Sequence, residues 1–563
     1  MKITKPISKT ISILLLVCLI ATSGGEYTFA KAKKAPKLSA SKTVKLKAGA
    51  SKKISVKKNG VKKLVKVTWK SSKKSCVAIN KTKGTSVKIK GKSSGKATVT
   101  ATVKYKSGKS SKTSSKKLKC KVTVSNDSEE QTPTPAPTAN APTDEPNETQ
   151  SPGRTPGPTN LLSALSCFVE NVGTCISYGG GWGGWGGSSA VADSATTAYI
   201  KENFNSLTAE NEMKPCNVLG YQPTILTIEE AKNQGYIIPD SYTEAYVPQI
   251  NYSNIDKLLK YAYDNGIRVR YHGLLWHEQS SNWFFRKNFD SSASYVTPEI
   301  MDARNEFFIT NIMNHVYSGQ YKDVVYCWDV INEYFHMTEC ISRIRTEANP
   351  DGDKNEDVKC YYEVYGDKIF EDASDPINSP VKSNPEYIKK AFKTAHDILK
   401  SYGLENKVEL VYNDYDTNMN DVRRFTIEVA NYINSKDELN PDGEKLLTTI
   451  GMQAHDKLGK HSISGHVSTI DAIKQAGYNI QFTEFDLALN GRSEAEQLQY
   501  LEDLITVIAL ESQDGAHFTC FSWWGMTDSS SWLGANESPL LCGTSVNDKK
   551  PAYYTVINTA YRF

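Results

Sequence analysis

The sequence VVYCWDVINE at residues 324–333 decides the fold of the larger part of this chain. It is an apolar run rich in β-branched residues, and it ends in Trp328, Asp329, Asn332 and Glu333. Such a run predicts a strand buried on both faces, as in the inner wall of a parallel barrel. Because barrels of this kind carry their chemistry at the carboxyl ends of the strands, Glu333 is a candidate functional carboxylate.

A second stretch of similar build, YNIQFTEFD at residues 478–486, brings Glu484 and Asp486 to the end of another apolar run. An ordinary strand-end acid at a barrel rim would explain either glutamate alone. Two glutamates in matching settings favour a glycosidase that uses a pair of carboxylates.

Short apolar runs alternate with stretches of helical length from about residue 161 onwards. Eight such runs predict an α/β fold, a (β/α)8 TIM barrel with loop insertions. A doubly wound sheet is the alternative, but no GxGxxG turn follows the first predicted strand. The predicted strands are Phe168–Ser177, Asn203–Thr208, Arg268–Leu275, Val324–Asn332, Val408–Asn413, Leu447–Gln453, Asn479–Thr483 and His517–Trp524.

The length of 563 residues exceeds what one hydrophobic core accommodates, so several units are expected. Residues 1–32 carry lysines before a short apolar run and a small-residue site. This pattern predicts a signal peptide and a secreted protein, extracellular or associated with the cell wall, without a membrane span. Residues 33–125 are predicted to form a small all-β sandwich, residues 126–160 a Pro/Thr-rich linker, and residues 161–563 the barrel.

Charge is distributed unevenly between these units. Residues 33–125 hold 30 Lys and no Asp, Glu or Arg, although the whole chain has a formal charge of only +6. A solvated, lysine-covered surface explains the pattern, and retention on an anionic cell-wall polymer is the sharper hypothesis. Nucleic acid is not expected as a partner, because Trp69 and Tyr105 are the only aromatic residues of the segment.

Eleven cysteines occur, of which Cys18 lies in the signal segment. Cys340 and Cys360 flank a polar loop and are predicted to form a disulfide, although sequence alone does not determine connectivity. Cys327 and Cys520 lie in predicted strands, where free buried thiols are an equal alternative. There is no CxxC pair, so no zinc site is expected.

Two insertions in the barrel each allow two interpretations. The Gly-rich loop at residues 179–187 either contacts sugar through Trp182 or Trp185 or is a flexible spacer, and its glycine content favours the spacer. The segment at residues 349–357 has the alternating oxygen side chains of a calcium loop. It lacks the glycine and the final glutamate of such a loop, so a solvated acidic loop is favoured.

Both units resemble known families. In the first, VTWKSS at residues 67–72, GKATVTA at 95–101 and CKVTV at 120–124 resemble bacterial immunoglobulin-like (group 2) domains. In the second, polar motifs at successive strand ends resemble glycoside hydrolase family 10, the retaining endo-β-1,4-xylanases, over roughly residues 161–563. These motifs are LTAENEMK at 207–214, RYHGLLWHEQ at 270–279, WDVINE at 328–333, YNDY at 412–415, GMQAH at 451–455, TEFD at 483–486, WGMTD at 524–528 and SW at 531–532.

The second resemblance implies a retaining endo-β-1,4-xylanase that hydrolyses internal bonds of xylan and xylo-oligosaccharides. No cofactor or metal is expected, because two carboxylates suffice, and we expect a monomer. Glu484 would be the nucleophile and Glu333 the acid/base, with their carboxyls about 5–5.5 Å apart. Glu333 must then stay protonated while Glu484 is ionised, so their environments must differ.

The same resemblance implies supporting roles for residues around the two glutamates. His455 and Asp486 would hold Glu484 in place, and Asn332 would bond the 2-hydroxyl of the sugar under attack. The other implied cleft residues are Glu210, Asn211 and Lys214 for the neighbouring sugar on the non-reducing side, His272, Gln279 and Gln453 along the cleft, and Trp276, Trp524 and Trp532 as flat faces for pyranose rings.

Two rival functions remain. A related barrel glycosidase that cuts β-1,4-glucan would use the same chemistry on a different sugar. A carbohydrate-binding or wall-associated protein with an inactive barrel belongs to another class, and the presence of both Glu333 and Glu484 argues against it.

Overall fold

The computed structural model describes residues 37–38, 43–47, 50–58, 61–106, 113–125, 158–179, 193–337, 359–366 and 385–563. The chain divides into two compact units, residues 1–150 and 151–563. The predicted signal segment, Trp182, Trp185, Cys340 and the acidic loop at residues 349–357 lie outside the described residues.

Two small sheets form the described part of the first unit. Its strands are β1 (Lys37–Leu38), β2 (Thr43–Lys47), β3 (Ser51–Lys57), β4 (Lys63–Ser71), β5 (Val77–Ile79), β6 (Ser86–Gly91), β7 (Gly95–Lys106) and β8 (Ser114–Ser125). One sheet has the order β1-β3-β6-β5 and the other β2-β8-β7-β4. Alternate residues of both sheets, such as Ile54 and Val99, pack into one core, while lysines between them face solvent.

The expectation of an all-β first unit is therefore confirmed. The sequence predicts six or seven strands, and the structure has eight among the described residues. The additional ones are β1 and β5, which are 2 and 3 residues long and too short to produce an alternating pattern. The immunoglobulin-like type of this sandwich stays a prediction.

The second unit contains a closed barrel of eight parallel strands. The described strands of the whole second unit, in chain order, are β9 (Asn171–Ile176), β10 (Ser206–Ala209), β11 (Ile225–Thr227), β12 (Tyr246–Pro248), β13 (Arg268–Tyr271), β14 (Leu275–Trp276), β15 (Val325–Asn332), β16 (Glu409–Asp414), β17 (Thr449–Met452), β18 (His455–Lys457), β19 (Asn479–Ala488) and β20 (Phe518–Trp523). Around the barrel the order is β9, β10, β13, β15, β16, β17, β19 and β20, and β20 pairs with β9.

Each of the eight predicted strands overlaps one barrel strand, so the TIM-barrel prediction is confirmed. The prediction works because a barrel strand is covered on both faces and its apolar run is nearly continuous. All eight residues of β15 are buried, for example. Trp328 and Trp523 are both buried in the core.

Helices separate the strands and cover the barrel. They span Leu161–Leu165, Ser194–Asn203, Pro215–Leu219, Ile228–Asn233, Ser253–Asn265, Pro298–Ser318, Cys360–Tyr365, Glu386–Ser401, Asn420–Asn434, Ile463–Ala476, Glu494–Gln513 and Pro551–Ala560, with 3-10 turns at Asn282–Phe285, Lys287–Phe289, Asp528–Ser530 and Ala535–Glu537. Local signals begin and end several of them. Ser493 and Glu496 form a capping box, and Gly477 ends a helix in the left-handed conformation.

One strand differs from its predicted bounds in a way that matters for the site. β19 continues beyond Thr483 to Ala488, because β18 pairs with its second half. This pairing sets His455 opposite Asp486. The strand that carries Glu484 is therefore held along its whole length.

Cys327 and Cys520 are buried and free, which decides between the two alternatives for these thiols. Cys360 is buried, but Cys340 lies outside the described residues, so the disulfide stays a prediction. Among the helices that the structure describes, none combines the length and apolarity that crossing a membrane requires.

Candidate active site

Glu333 and Glu484 both lie on the face of the barrel where the carboxyl ends of its parallel strands meet. Glu333 directly follows β15, and Glu484 lies in the middle of β19, where β17 ends and β18 takes over as its neighbour. The backbone of Glu333 has a φ of 56°, and its N–H donates to the carbonyl of Asn413 over 2.8 Å. This bend turns the side chain of Glu333 into the barrel mouth.

Both glutamates line one cleft of about 590 Å³. The cleft also brings together ten of the twelve supporting residues that the sequence singles out: Glu210, Asn211, Lys214, His272, Trp276, Gln279, Gln453, His455, Trp524 and Trp532. The other two, Asn332 and Asp486, are buried immediately behind it.

Three polar groups surround the Glu484 carboxylate. Asn413 donates from Nδ2 to Oε1 over 2.7 Å, and Nε2 of His455 lies 3.3 Å from Oε2. Nδ1 of His272 lies 4.0 Å from Oε1. Burial by itself would raise the pKa of Glu484, but His272 and His455 lower it to about 2. Glu484 is thus ionised at neutral pH.

A buried carboxylate fixes His455 from behind. Nδ1 of His455 lies 2.9 Å from Oδ2 of Asp486, and Nε1 of Trp532 donates to the same oxygen over 2.8 Å. Burial would lower the pKa of His455, but Asp486 raises it to about 10, so the ring is cationic beside Glu484. The chain of contacts from Trp532 to Glu484 orients the carboxylate.

The Glu333 carboxyl has a different environment. Gln453 donates from Nε2 to Oε1 over 2.8 Å, and Trp276 donates from Nε1 to Oε2 over 3.0 Å. Burial and the nearby charge of Glu278 raise the pKa of Glu333 to about 7, against the opposing effect of the Gln453 hydrogen bond. A group with this pKa is largely protonated below neutral pH and exchanges its proton easily.

Lys214 organises the side of the cleft that follows β10. Its Nζ donates to Oδ1 of Asn211 over 3.1 Å and to Oε1 of Gln279 over 2.8 Å. Nζ also lies 4.8 Å from the centre of the Trp276 ring. Lys214 is buried, and its pKa is lowered by that burial. Together these groups present donors and acceptors on a rigid surface, as binding sugar hydroxyls requires.

A buried charge network supports His272 from below. Arg270 donates from Nη2 to Oδ2 of Asp329, and Nδ1 of His272 lies 2.7 Å from the same oxygen. All three side chains are buried. The contact with Asp329 fixes the orientation of the His272 ring, whose Nδ1 also lies 4.0 Å from Glu484.

Some functional positions were not singled out from the sequence. Asn413 bonds Glu484 directly, and it lies inside the quoted motif YNDY, so the motif contained the signal. The other unassigned residues that line the cleft are Glu278, Tyr415, Asp416, Lys457 and Lys460. No periodicity distinguishes these residues, because four of them lie in loops after the strands and Lys457 ends the three-residue strand β18.

Comparisons with known proteins agree with this arrangement. The family model described as glycosyl hydrolase family 10 matches residues 170–559. The chain is similar to endo-1,4-beta-xylanase A of Butyrivibrio fibrisolvens, with 34% identity over 71% of this chain and 84% of that protein. It is also similar to endo-1,4-beta-xylanase Y of Acetivibrio thermocellus, with 27% identity over 66% of this chain but only 31% of that protein.

A solved structure shows the same fold. It contains the N-terminal CBM22-1 and GH10 modules of an endo-1,4-beta-D-xylanase from Clostridium thermocellum, complexed with xylohexaose. It has a TM-score of 0.52 and 24% sequence identity, over 70% of this chain and 66% of that one. The family model covers most of the chain, the barrel has the same fold, and two strand-end glutamates share one cleft. The chain therefore belongs to glycosyl hydrolase family 10.

Proposed function

We propose that this protein is a secreted endo-β-1,4-xylanase that cleaves internal bonds of xylan with retention of anomeric configuration. The observation that carries the proposal is the contrast between two glutamates in one cleft. The pKa of Glu484 is about 2 and that of Glu333 about 7, so one is a carboxylate when the other is still an acid. This contrast is what a double displacement with two carboxylates requires.

In the first step, Glu484 attacks the anomeric carbon as the glycosidic bond breaks. Glu333 transfers its proton to the leaving oxygen, so the leaving chain departs with a free hydroxyl and a glycosyl-enzyme ester remains. In the second step, ionised Glu333 takes a proton from water, whose oxygen attacks the anomeric carbon and releases Glu484. Each step inverts the carbon once, and the two inversions together give retention.

The supporting residues act on position and charge. His455 and Asn413 hold the Glu484 carboxylate at 3.3 Å and 2.7 Å, which limits its freedom before attack. Asn332, held by Asn413 over 2.9 Å, would bond the 2-hydroxyl of the attacked sugar. Trp276, Trp524 and Trp532 would pack against pyranose rings.

The substrate assignment rests on two relatives whose names describe them as endo-1,4-beta-xylanases. A β-1,4-glucan differs by a hydroxymethyl group on every ring. Lys214, which lies 4.8 Å from the centre of the Trp276 ring, lines the part of the cleft where such a group would have to fit. We therefore favour xylan over glucan.

Secretion and wall association complete the proposal. The N-terminal sequence supports export, and the lysines of residues 33–125 support electrostatic retention on an anionic wall polymer. Such retention would weaken as salt is added, because exposed charges are screened over about 10 Å at 0.1 M ionic strength.

Hydrolysis assays on two polymers test which polysaccharide the protein cleaves. The purified chain is incubated with soluble xylan and, in parallel, with carboxymethylcellulose, and reducing ends are measured. We expect rapid release from xylan, little from carboxymethylcellulose, and at least a thousandfold loss on xylan in Glu484→Gln, on the order of losses from removing a catalytic group. Activity confined to carboxymethylcellulose would overturn the substrate, and no activity on either would favour the binding-protein alternative.

A further inference from the structure

The order of the strands separates the cleft into two sides. Between β15, which is directly followed by Glu333, and β19, which carries Glu484, lie β16 and β17 on one side of the barrel. On the other side lie β13, β10, β9 and β20. Glu210 and Lys214 follow β10, so residues that follow β16 and β17 are on the opposite side of the bond that is cut.

This division has a consequence that rests on the proposed function. If Glu210 and Lys214 bind the sugars that stay on the enzyme, the side after β16 and β17 binds the leaving part of the chain. Besides Gln453 and His455, which contact the two glutamates, the residues that line the cleft there are Tyr415, Asp416, Lys457 and Lys460. Two of the four are lysines, although the unsubstituted xylan backbone carries no charge.

The alternation of β18 directs Lys457 into the cleft. His455 and Lys457 both line the cleft, whereas Asp456 between them is buried and accepts hydrogen bonds on the other face. Residues two apart in a strand lie about 6.6 Å from each other on one face. Lys457 therefore lies one strand repeat beyond His455, which itself contacts Glu484 at 3.3 Å.

The two lysines differ in their partners. Lys460 pairs with Asp416 over 2.9 Å, and Asp416 also lies 3.0 Å from Nε2 of His461. Within the part of the chain that the structure describes, Lys457 has no such carboxylate partner. It also lacks the amide partners that hold Lys214. Among the residues that the structure describes, Lys457 is thus a cleft-lining lysine whose ammonium is paired with no carboxylate.

We propose that Lys457 binds the carboxylate of a uronic acid side group on a xylose in the leaving part of the chain. The cleft would then favour xylan that carries acidic side groups over neutral xylan. An ammonium on a flexible stem suits a side group whose position varies, because it requires no fixed fork geometry. Lys457 is partly exposed, so its contribution should be modest.

Kinetics on three matched substrates test this proposal. They are a linear xylo-oligosaccharide, the same chain with one glucuronic acid side group, and the methyl ester of that acid. The readout is the ratio of kcat/KM for the acid to kcat/KM for the linear chain. We expect Lys457→Gln to lower this ratio about three- to fivefold. Lys232→Gln, an exposed lysine outside the cleft, should leave it unchanged.

Two further readouts separate charge from shape. In the wild type, kcat/KM for the methyl ester relative to the linear chain should be as low as the ratio that Lys457→Gln gives with the acid. The advantage of the acid over the linear chain should decrease with added salt. The products should carry the uronate on the fragment that leaves. An unchanged ratio in Lys457→Gln, or the uronate only on the fragment retained by the enzyme, would overturn the proposal. Absence of cleavage of the linear chain by the wild type would instead contradict the proposed xylanase function.

Discussion

Asn413 donates a hydrogen bond from Nδ2 to Oε1 of Glu484 over 2.7 Å. The same Nδ2 donates to Oδ1 of Asn332 over 2.9 Å, and Thr483 fixes the amide by donating to Asn413 Oδ1 over 2.6 Å. One buried amide therefore sets the position of the proposed nucleophile relative to the residue proposed to bond the sugar.

Replacement of Asn413 by alanine should lower kcat on xylan by about 10- to 100-fold, because a hydrogen bond to a charged group contributes about 1.5–3 kcal/mol. KM should change less, since Asn413 does not line the cleft. Steady-state kinetics check this, with Asn406→Ala at an exposed position as the control. Circular dichroism verifies that both variants fold. A folded Asn413→Ala variant with wild-type kcat would contradict the positioning role.

The alkaline limb of the pH profile should depend on Glu278. The charge of Glu278 helps to raise the pKa of Glu333, which is about 7, so activity should decline above neutral pH as Glu333 loses its proton. In Glu278→Gln this repulsion is absent, and the alkaline limb of kcat/KM should move to lower pH. The measurement is the full pH profile of both proteins. An unmoved limb in Glu278→Gln, or the same shift in the exposed control Glu494→Gln, would disprove this effect.

Glu333 should also make stability depend on pH. Its pKa in the folded protein, about 7, is above the usual glutamate value of 4.5, so the folded state holds the proton more tightly than the unfolded state. This contribution is fully present below about pH 4.5 and is lost as the pH rises through 7. Compared with Glu333→Gln, the wild-type barrel should lose about 1–2 kcal/mol of unfolding free energy between pH 4.5 and 8, allowing for partial exposure.

Urea unfolding followed by tryptophan fluorescence measures this difference, because eight of the nine tryptophans belong to residues 151–563. In the comparison of wild type with Glu333→Gln, the contributions to stability from groups that titrate in both proteins cancel. If the unfolding midpoints of the two proteins changed with pH in parallel, the titration of Glu333 would not contribute to the stability of the folded protein.

Trp532 should have two separable effects. Trp532 is 48% exposed and lines the cleft, so it is available to substrate, while its Nε1 donates to Asp486 over 2.8 Å. Trp532→Phe keeps a ring and removes the donor, and should lower kcat about threefold to tenfold. Trp532→Ala also removes the ring and should raise KM for xylan by a similar factor. Equal KM values for the two variants would show that the ring does not bind substrate.

Much of the barrel was predictable because burial on both faces leaves a direct trace in the sequence. The run at residues 324–333 and the run at 478–486 are both nearly continuous apolar segments, and both are barrel strands. The end of β19 was less predictable. Its polar residues Glu484 and Asp486 interrupt the apolar pattern, and only the pairing with β18 keeps the strand extended to Ala488.

The site was predictable where a motif resembled a known family, and less so elsewhere. Glu333, Glu484 and ten supporting residues line one cleft, and the roles assigned to them stay predictions. Neither Asn413 nor Glu278 was assigned, since the sequence does not show which polar side chain will face a carboxylate across a barrel. The Arg270–Asp329 pair likewise joins two strands that are adjacent in the barrel but far apart in sequence, and neither residue alone predicts the other.

Proton NMR of the first products formed from soluble xylan tests the proposed mechanism most directly. If Glu484 attacks the anomeric carbon and Glu333 then activates water, two inversions occur and the β-anomeric signal of the new reducing ends appears first. The α signal should follow only as the products mutarotate. Early appearance of the α signal would mean a single inversion, and it would contradict the roles assigned to both glutamates.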